Sequence, residues 1–252
     1  MPLKVVLFDF NGVILDDESI HEQLIQDVML SENVRITAED FQQFGLGRSD
    51  RACFQDLFNA RGRVVSPDYI TKLLQQKAIA YQQQLQALET LPLYPGVGTL
   101  VSSLQDNQIK LGIVSGALRA EIEWVLEKAS LQDAFDLVVA AEDISTSKPS
   151  PEGYETAIIQ FNTRYPDLNL RPQNCLAIED SFPGLASAQN ARIPVVGVAH
   201  TYPFHMMQRR SNWAVDYLDQ LEVPRLIQLF ENDGKESSST RSEAPVPAPQ
   251  HG

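Results

Sequence analysis

The chain has 252 residues, 43% hydrophobic and 21% charged, a length that suits one large domain or a core with a smaller companion. Its two cysteines, Cys53 and Cys175, exclude a disulfide framework and fit a reducing, cytoplasmic setting, and no apolar run approaches the roughly 20 residues that cross a bilayer. A formal charge of −13, from 33 acids against 20 bases, argues against generic nucleic-acid binding, which needs clustered Lys and Arg.

The start, Met-Pro-Leu-Lys, shows no targeting pattern and runs into an apolar, β-branched strand over residues 4–10, KVVLFDF. Four helical stretches follow, at 17–30, 38–44, 50–60 and 67–88. The last opens at Ser66-Pro67 and carries Ile70, Leu73, Leu74, Lys77, Tyr81, Leu85 and Leu88 as an amphipathic stripe. Lys77 reads there as a face residue. Further strands are expected at 110–115, 135–141, 174–180 and 194–199. Helices separate the later ones, over 117–130 and after the capping pair Ser150-Pro151. Continuous rather than alternating apolarity marks strands buried on both faces, hence a parallel sheet. The pattern predicts an α/β fold, a Rossmann-like parallel-sheet core over 1–15 and 95–232 with an all-helical cap at 16–94 inserted after the first strand. Residues 233–252, DGKESSSTRSEAPVPAPQHG, read as a disordered tail.

Ligands of open parallel sheets bind beyond the carboxyl ends of the strands. Those ends hold Asp9, Asn11 and Gly12 after the first strand, Ser115-Gly116 after the second, and Glu179-Asp180-Ser181 after the fourth. Lys148 sits in the loop after the third. Each alone has a plain structural explanation as a cap, turn or surface residue. Together they suggest a clamp: oxygen ligands for Mg²⁺, backbone amides for an anion, and a lysine opposite.

These stretches, DFNGV, IVSGA, SKPSPEGY and IEDSFPGLASA, resemble in order and context the four motifs of the haloacid dehalogenase superfamily of phosphohydrolases, over about residues 4–200. The resemblance is nearest to its beta-phosphoglucomutase-like branch. It implies a Mg²⁺-dependent phosphatase of a small phosphorylated metabolite. Asp9 would be the nucleophile that forms an aspartyl-phosphate. The metal ligands would be Asp9, the Asn11 carbonyl and Asp180, with Glu179 in support, and Ser115, Gly116 and Lys148 would bind the phosphoryl oxygens. His21 matches a cap-helix histidine of that branch. Arg48, in GLGRSDR, resembles a cap recognition turn that contacts the substrate's distal group or second phosphate. A phosphomutase and a phosphometabolite-binding protein with weak turnover are the alternatives. The sequence leaves oligomeric state open, a monomer being favoured.

One departure matters. Where the family has a second aspartate this chain has Asn11, and an amide can donate a hydrogen bond but cannot transfer a proton. Losing positioned acid–base help costs about 10²–10⁴ in rate. Either the leaving group is good or another group such as Asp16, Asp17 or His21 supplies the acid; or the protein binds without turning over; or Asn11-Gly12 deamidates to aspartate. His200 and His205 receive no role, Cys175 reads as a core thiol, and Trp124 and Trp213 as packing residues.

Overall fold

A computed structural model describes residues 2–239. Six strands form one parallel sheet in the order β3-β2-β1-β4-β5-β6. They are β1 (Val5–Phe8), β2 (Lys110–Val114), β3 (Leu137–Val139), β4 (Cys175–Glu179), β5 (Val195–Val198) and β6 (Trp213–Val215). The five expected strands are present but shorter than their apolar runs, because the outer residues turn into loops. The sixth was not expected from the sequence. Trp213 packs on the core, as read, and also lies within β6.

Alternate residues of β1 point to opposite faces, so each face has its own core. Val6 and Phe8 pack with α5 (Val97–Asp106), α6 (Arg119–Lys128) and α10 (Val223–Ser239). Val5 and Leu7 pack with α7 (Glu152–Arg164) and α8 (Phe182–Asn190). A short α9 (Phe204–Gln208) joins β5 to β6. The Ala117 start expected for α6 moves to Arg119, leaving 116–118 as a turn. Helix α7 begins at Glu152, one residue later than expected, and Ser150 Oγ still accepts from the Glu152 N–H. Helix α10 corrects the tail boundary, since it carries the chain from 233 to Ser239. The rest of the expected tail, 240–252, lies outside the described residues.

Between β1 and α5 stand α1 (Glu18–Ser31), α2 (Ala38–Phe44), α3 (Asp50–Ala60) and α4 (Pro67–Ala87). Side chains fix their starts: Thr37, Ser49 and Ser66 each accept a hydrogen bond from a first-turn N–H. Ile25, Met29, Phe41, Phe54, Phe58, Ile70 and Leu73 give this insert a core of its own. Its two connections to the sheet run side by side, with Asp16 N–H bonded to Pro92 O and Tyr94 N–H to Ile14 O.

Lys77 is corrected from a face residue to a fully buried one. It bonds Asp50 Oδ2 at 2.6 Å and contacts His21 Nδ1. Burial opposes its charge, but Asp50 and Glu121 hold its ammonium above the usual lysine range. Removing one member of a buried ion pair strands the other. Lys77→Met is expected to cost about 3 kcal/mol of stability, read as a lower urea midpoint at unchanged slope.

Candidate active site

Sheet order decides which strand ends meet. The chain runs outward from β1 through β2 to β3, then returns to β4 on the other side of β1, so the switch point lies at β1. Phe8 is in register with both Ile113 and Ile178. The next residue along β1, Asp9, therefore emerges level with Glu179, and its N–H bonds Ile178 O at 3.0 Å.

Asp9, Glu179 and Asp180 are buried and each offers a carboxylate oxygen within 4.8 Å of the others. Lys148 Nζ lies 2.9 Å from Asp9 Oδ2 and 2.7 Å from Glu179 Oε1. Burial opposes the lysine's charge, yet Asp9 and Glu179 hold it well above its ordinary value. Burial, then Asp9, push the Glu179 carboxyl far up; burial, then Glu18 and Asp9, do the same to Asp180. Glu179 Oε1 accepts from Tyr154 Oη at 2.6 Å, while Oε2 is buried without a partner. Three desolvated carboxylates facing one lysine make a donor set deficient in positive charge. A hard divalent cation with oxygen preference would fit that deficit.

Asp9 Oδ1 accepts from the Phe10 N–H at 2.8 Å. The turn then reverses at Gly12, whose φ is +78° and where a Cβ would stand 2.0 Å from Asp180 Oδ2. Both conditions demand glycine. Gly12→Ala is expected to lower stability by about 1–2 kcal/mol from the backbone alone, and to displace Asp180 from the cluster. Urea unfolding and metal titration report the two effects separately.

Ser115 is buried after β2, and its Oγ accepts from the Ala117 N–H at 3.0 Å. Gly116 lines the cavity above Asp9, and a Cβ there would meet Ser49 backbone at 2.9 Å. Ser49 N–H in turn bonds Ser147 Oγ at 2.8 Å. The insert thus rests directly on the loops after β2 and β3. The space between them is about 40 Å³ and partly open to solvent, lined on the insert's side by Glu18, His21, Ile25, Phe41, Arg48 and Asp50. That volume admits a few waters, not a metabolite.

Asn11 also lines this space. Its Nδ2 donates to Asp17 Oδ2 at 2.8 Å and stands 3.0 Å from His21 Nε2. Asp17 Oδ2 also contacts His21 Nε2 at 3.0 Å and accepts from Tyr81 Oη at 2.5 Å. Burial and Lys77 lower the His21 pKa, but Asp17 outweighs them and raises it above the ordinary value. Arg48 is committed within the insert, 2.7 Å from Asp56 Oδ2 with a bond to Phe44 O at 3.4 Å.

Of the sequence-expected site residues, Asp9, Asn11, His21, Arg48, Gly116 and Lys148 line this cavity; Glu179 and Asp180 stand beside Asp9, and Ser115 is buried at the end of β2. Sequence reasoning missed several supports. Thr201 donates to Asp180 Oδ2, and His200 Nδ1 donates to Gly12 O at 2.8 Å while stacking on Tyr94 at 3.7 Å. His200 and Thr201 directly follow the fifth strand, which was the available signal. Asp50 and Tyr81 had none beyond their helical placement. Cys175 is buried as read, its thiol pushed up to about 12 by burial.

A parallel sheet whose strand ends gather carboxylates and a lysine under a helical insert is the architecture of a phosphoryl-transfer hydrolase. Residues 6–198 match the Haloacid dehalogenase-like hydrolase family, and the chain belongs to it. Hexitol phosphatase B of Escherichia coli is 30% identical over 194 residues, 76% of this chain and 81% of its own. Beta-phosphoglucomutase of Bacillus subtilis is 25% identical, over 80% and 85% respectively. Among solved structures, beta-phosphoglucomutase from Clostridium difficile superposes with a TM-score of 0.79 at 21% identity, covering 92% of this chain and 99% of that one. CbbY from Rhodobacter sphaeroides in complex with phosphate gives 0.73 at 18% identity, covering 87% and 96%. Hydrolase chemistry on phosphorylated substrates follows from the family. Among the described residues no helix is long and apolar enough to cross a membrane.

Proposed function

We propose that the protein is a Mg²⁺-dependent phosphatase of a small phosphorylated metabolite, working through an aspartyl-phosphate at Asp9. The observation that carries this reading is the convergence of Asp9, Lys148, Glu179 and Asp180 at the β1–β4 switch point. Asp9, Asp180 and the Asn11 main-chain carbonyl would hold the metal, with Glu179 in support, and the ion would offset charge on the phosphoryl oxygens.

Asp9 attacks phosphorus, the ester P–O bond breaks, and the leaving oxygen departs with its electron pair. Water then attacks the aspartyl-phosphate, releasing phosphate and restoring the carboxylate. The Phe10 N–H and Lys148 hold the two Asp9 oxygens in place before attack. Lys148, Ser115 and the amide of Gly116 would bind the phosphoryl oxygens, where positioning and charge neutralisation supply most of the catalysis. The helical insert acts as a cap: it must swing away to admit substrate, and its return excludes water. Asn11 holds the leaving-group side with a hydrogen bond and no transferable proton.

The test is phosphate release over a panel of phosphorylated metabolites with Mg²⁺, beside an Asp9→Ala control. Metal-dependent release that the control abolishes supports the reading. Isomerised sugar phosphate in place of free phosphate would indicate a mutase instead.

A further inference from the structure

Resting on the reading of the helical insert as a moving cap, we infer that the loop after β5 is the latch between cap hinge and active site, and that His200 is a positioning residue that couples cap closure to the turn after Asp9. The contacts of two consecutive residues carry this. The Gly12 carbonyl only accepts, so His200 Nδ1 bears the hydrogen of the 2.8 Å bond between them. Gly12 is the residue whose left-handed backbone turns the chain after Asp9 and Asn11. Thr201, next along the loop, donates to Asp180 Oδ2. One short stretch of chain therefore grips the end of β1 and the end of β4.

While its edge holds Gly12, the face of the His200 ring lies on Tyr94, with 3.7 Å between centroids and 9° between planes. Tyr94 stands on the segment returning from the insert, and its hydroxyl donates to Asp16 Oδ1, at 3.2 Å, on the segment leading out. Leu15 and Leu93 pair across these two segments as an antiparallel bridge, so the hinge moves as one unit. It is also continuous with the turn, since Gly12 N–H bonds Leu15 O at 2.8 Å. A rotation of the insert about this hinge turns Tyr94 against a ring that Gly12 holds in place. The near-parallel stack thus belongs to one hinge setting, the closed one.

Two variants split the roles of His200. His200→Phe keeps a ring against Tyr94 and loses the donor to Gly12, whereas His200→Asn keeps an N–H near the place of Nδ1 and loses the ring. Trp124 reports the cap, because it lines the clefts between α6 and α4 opposite Tyr81, Gln82 and Leu85. The other tryptophan, Trp213, packs on the sheet core and gives a constant background. His200→Asn is expected to raise acrylamide quenching of Trp124 and to raise KM about three- to tenfold at nearly constant kcat, the scale of one aromatic pair. His200→Phe is expected to keep native quenching and KM, and to lower kcat and Mg²⁺ affinity by about the same factor, the scale of one hydrogen bond. Tyr94→Leu, made from the hinge side at a half-buried position, should reproduce His200→Asn, and combining the two should add nothing further. A residue that only supports the fold would move both His200 variants alike. That common response, native quenching in His200→Asn or Tyr94→Leu, or additive effects of those two would overturn the inference. If a His200 variant fails to fold, quenching in Tyr94→Leu decides. Quenching and Mg²⁺ calorimetry need no turnover. A native chain that released no phosphate from any metabolite would therefore refute the phosphatase and leave the latch to be decided by these two measurements.

Discussion

Asp9→Ala is expected to reduce phosphate release by about 10⁴-fold or more, the scale on which removal of a covalent nucleophile falls, without loss of fold. The two halves of that expectation have separate causes. Chemically, no other side chain takes its place: Glu179 and Asp180 arise from the neighbouring strand end, and Lys148 spans Asp9 and Glu179. Energetically, the Asp9 charge adds to burial in pushing the Glu179 and Asp180 carboxyls upward. Deleting it removes like-charge repulsion, and Lys148 keeps Glu179 as partner at 2.7 Å. Stability without metal should therefore hold or rise, as is common where active sites trade stability for activity. Thermal unfolding in a chelator checks this half, and phosphate release with Mg²⁺ checks the other. A variant that retains release would show that the nucleophile lies elsewhere. One that loses release and unfolds would show that Asp9 is structural.

Much of this architecture was legible wherever local chemistry and burial agree. The bounds of α2 and α3 coincide with the expected ones because Thr37 and Ser49 cap them and apolar residues recur at helical spacing. Strands β1, β2, β4 and β5 were readable as apolar runs because both sheet faces are covered. Strand β6 was not: it has three half-buried residues in a polar context, and pairing with β5 alone makes it a strand. The site followed the same rule. Residues at strand ends were found because topology forces strand ends together. The group formed by Asp17, His21, Asp50, Lys77 and Tyr81 spans three helices, so only their packing brings it into being. Lys77 illustrates the difference. It read as a face residue because its partner Asp50 lies 27 residues away on another helix, and only that pairing lets the charge be buried among Leu73, Leu74 and Tyr81.

Asn11→Asp is the substitution expected to increase activity. The native amide borders the cavity with Asp9, and its Nδ2 is held 2.8 Å from Asp17 Oδ2. A carboxyl of the same size there enters beside the Asp17 carboxylate. Two carboxyl groups at that separation resist joint ionisation, so one of them retains a proton. A protonated carboxyl facing the ester oxygen is a general acid, and such a group contributes about 10²–10⁴ in rate. The gain should depend on the leaving group. Alkyl phosphates depart as strongly basic alkoxides and receive the whole benefit. Aryl phosphates such as p-nitrophenyl phosphate depart as weak bases and receive little, so in the native protein they should already turn over much faster. Measured over a series of leaving groups, the dependence of log kcat on leaving-group basicity should be steep for the native chain and shallow for the variant. A uniform change across the series would mean that position 11 acts by shape alone. If the native chain already matched the variant on alkyl phosphates and peptide mapping found Asn11 intact, the missing proton would have to come from elsewhere. His21, 3.0 Å from the Asn11 amide and with its pKa held above the ordinary value by Asp17, is a candidate. His21→Asn would then remove in the native chain the activity that Asn11→Asp restores.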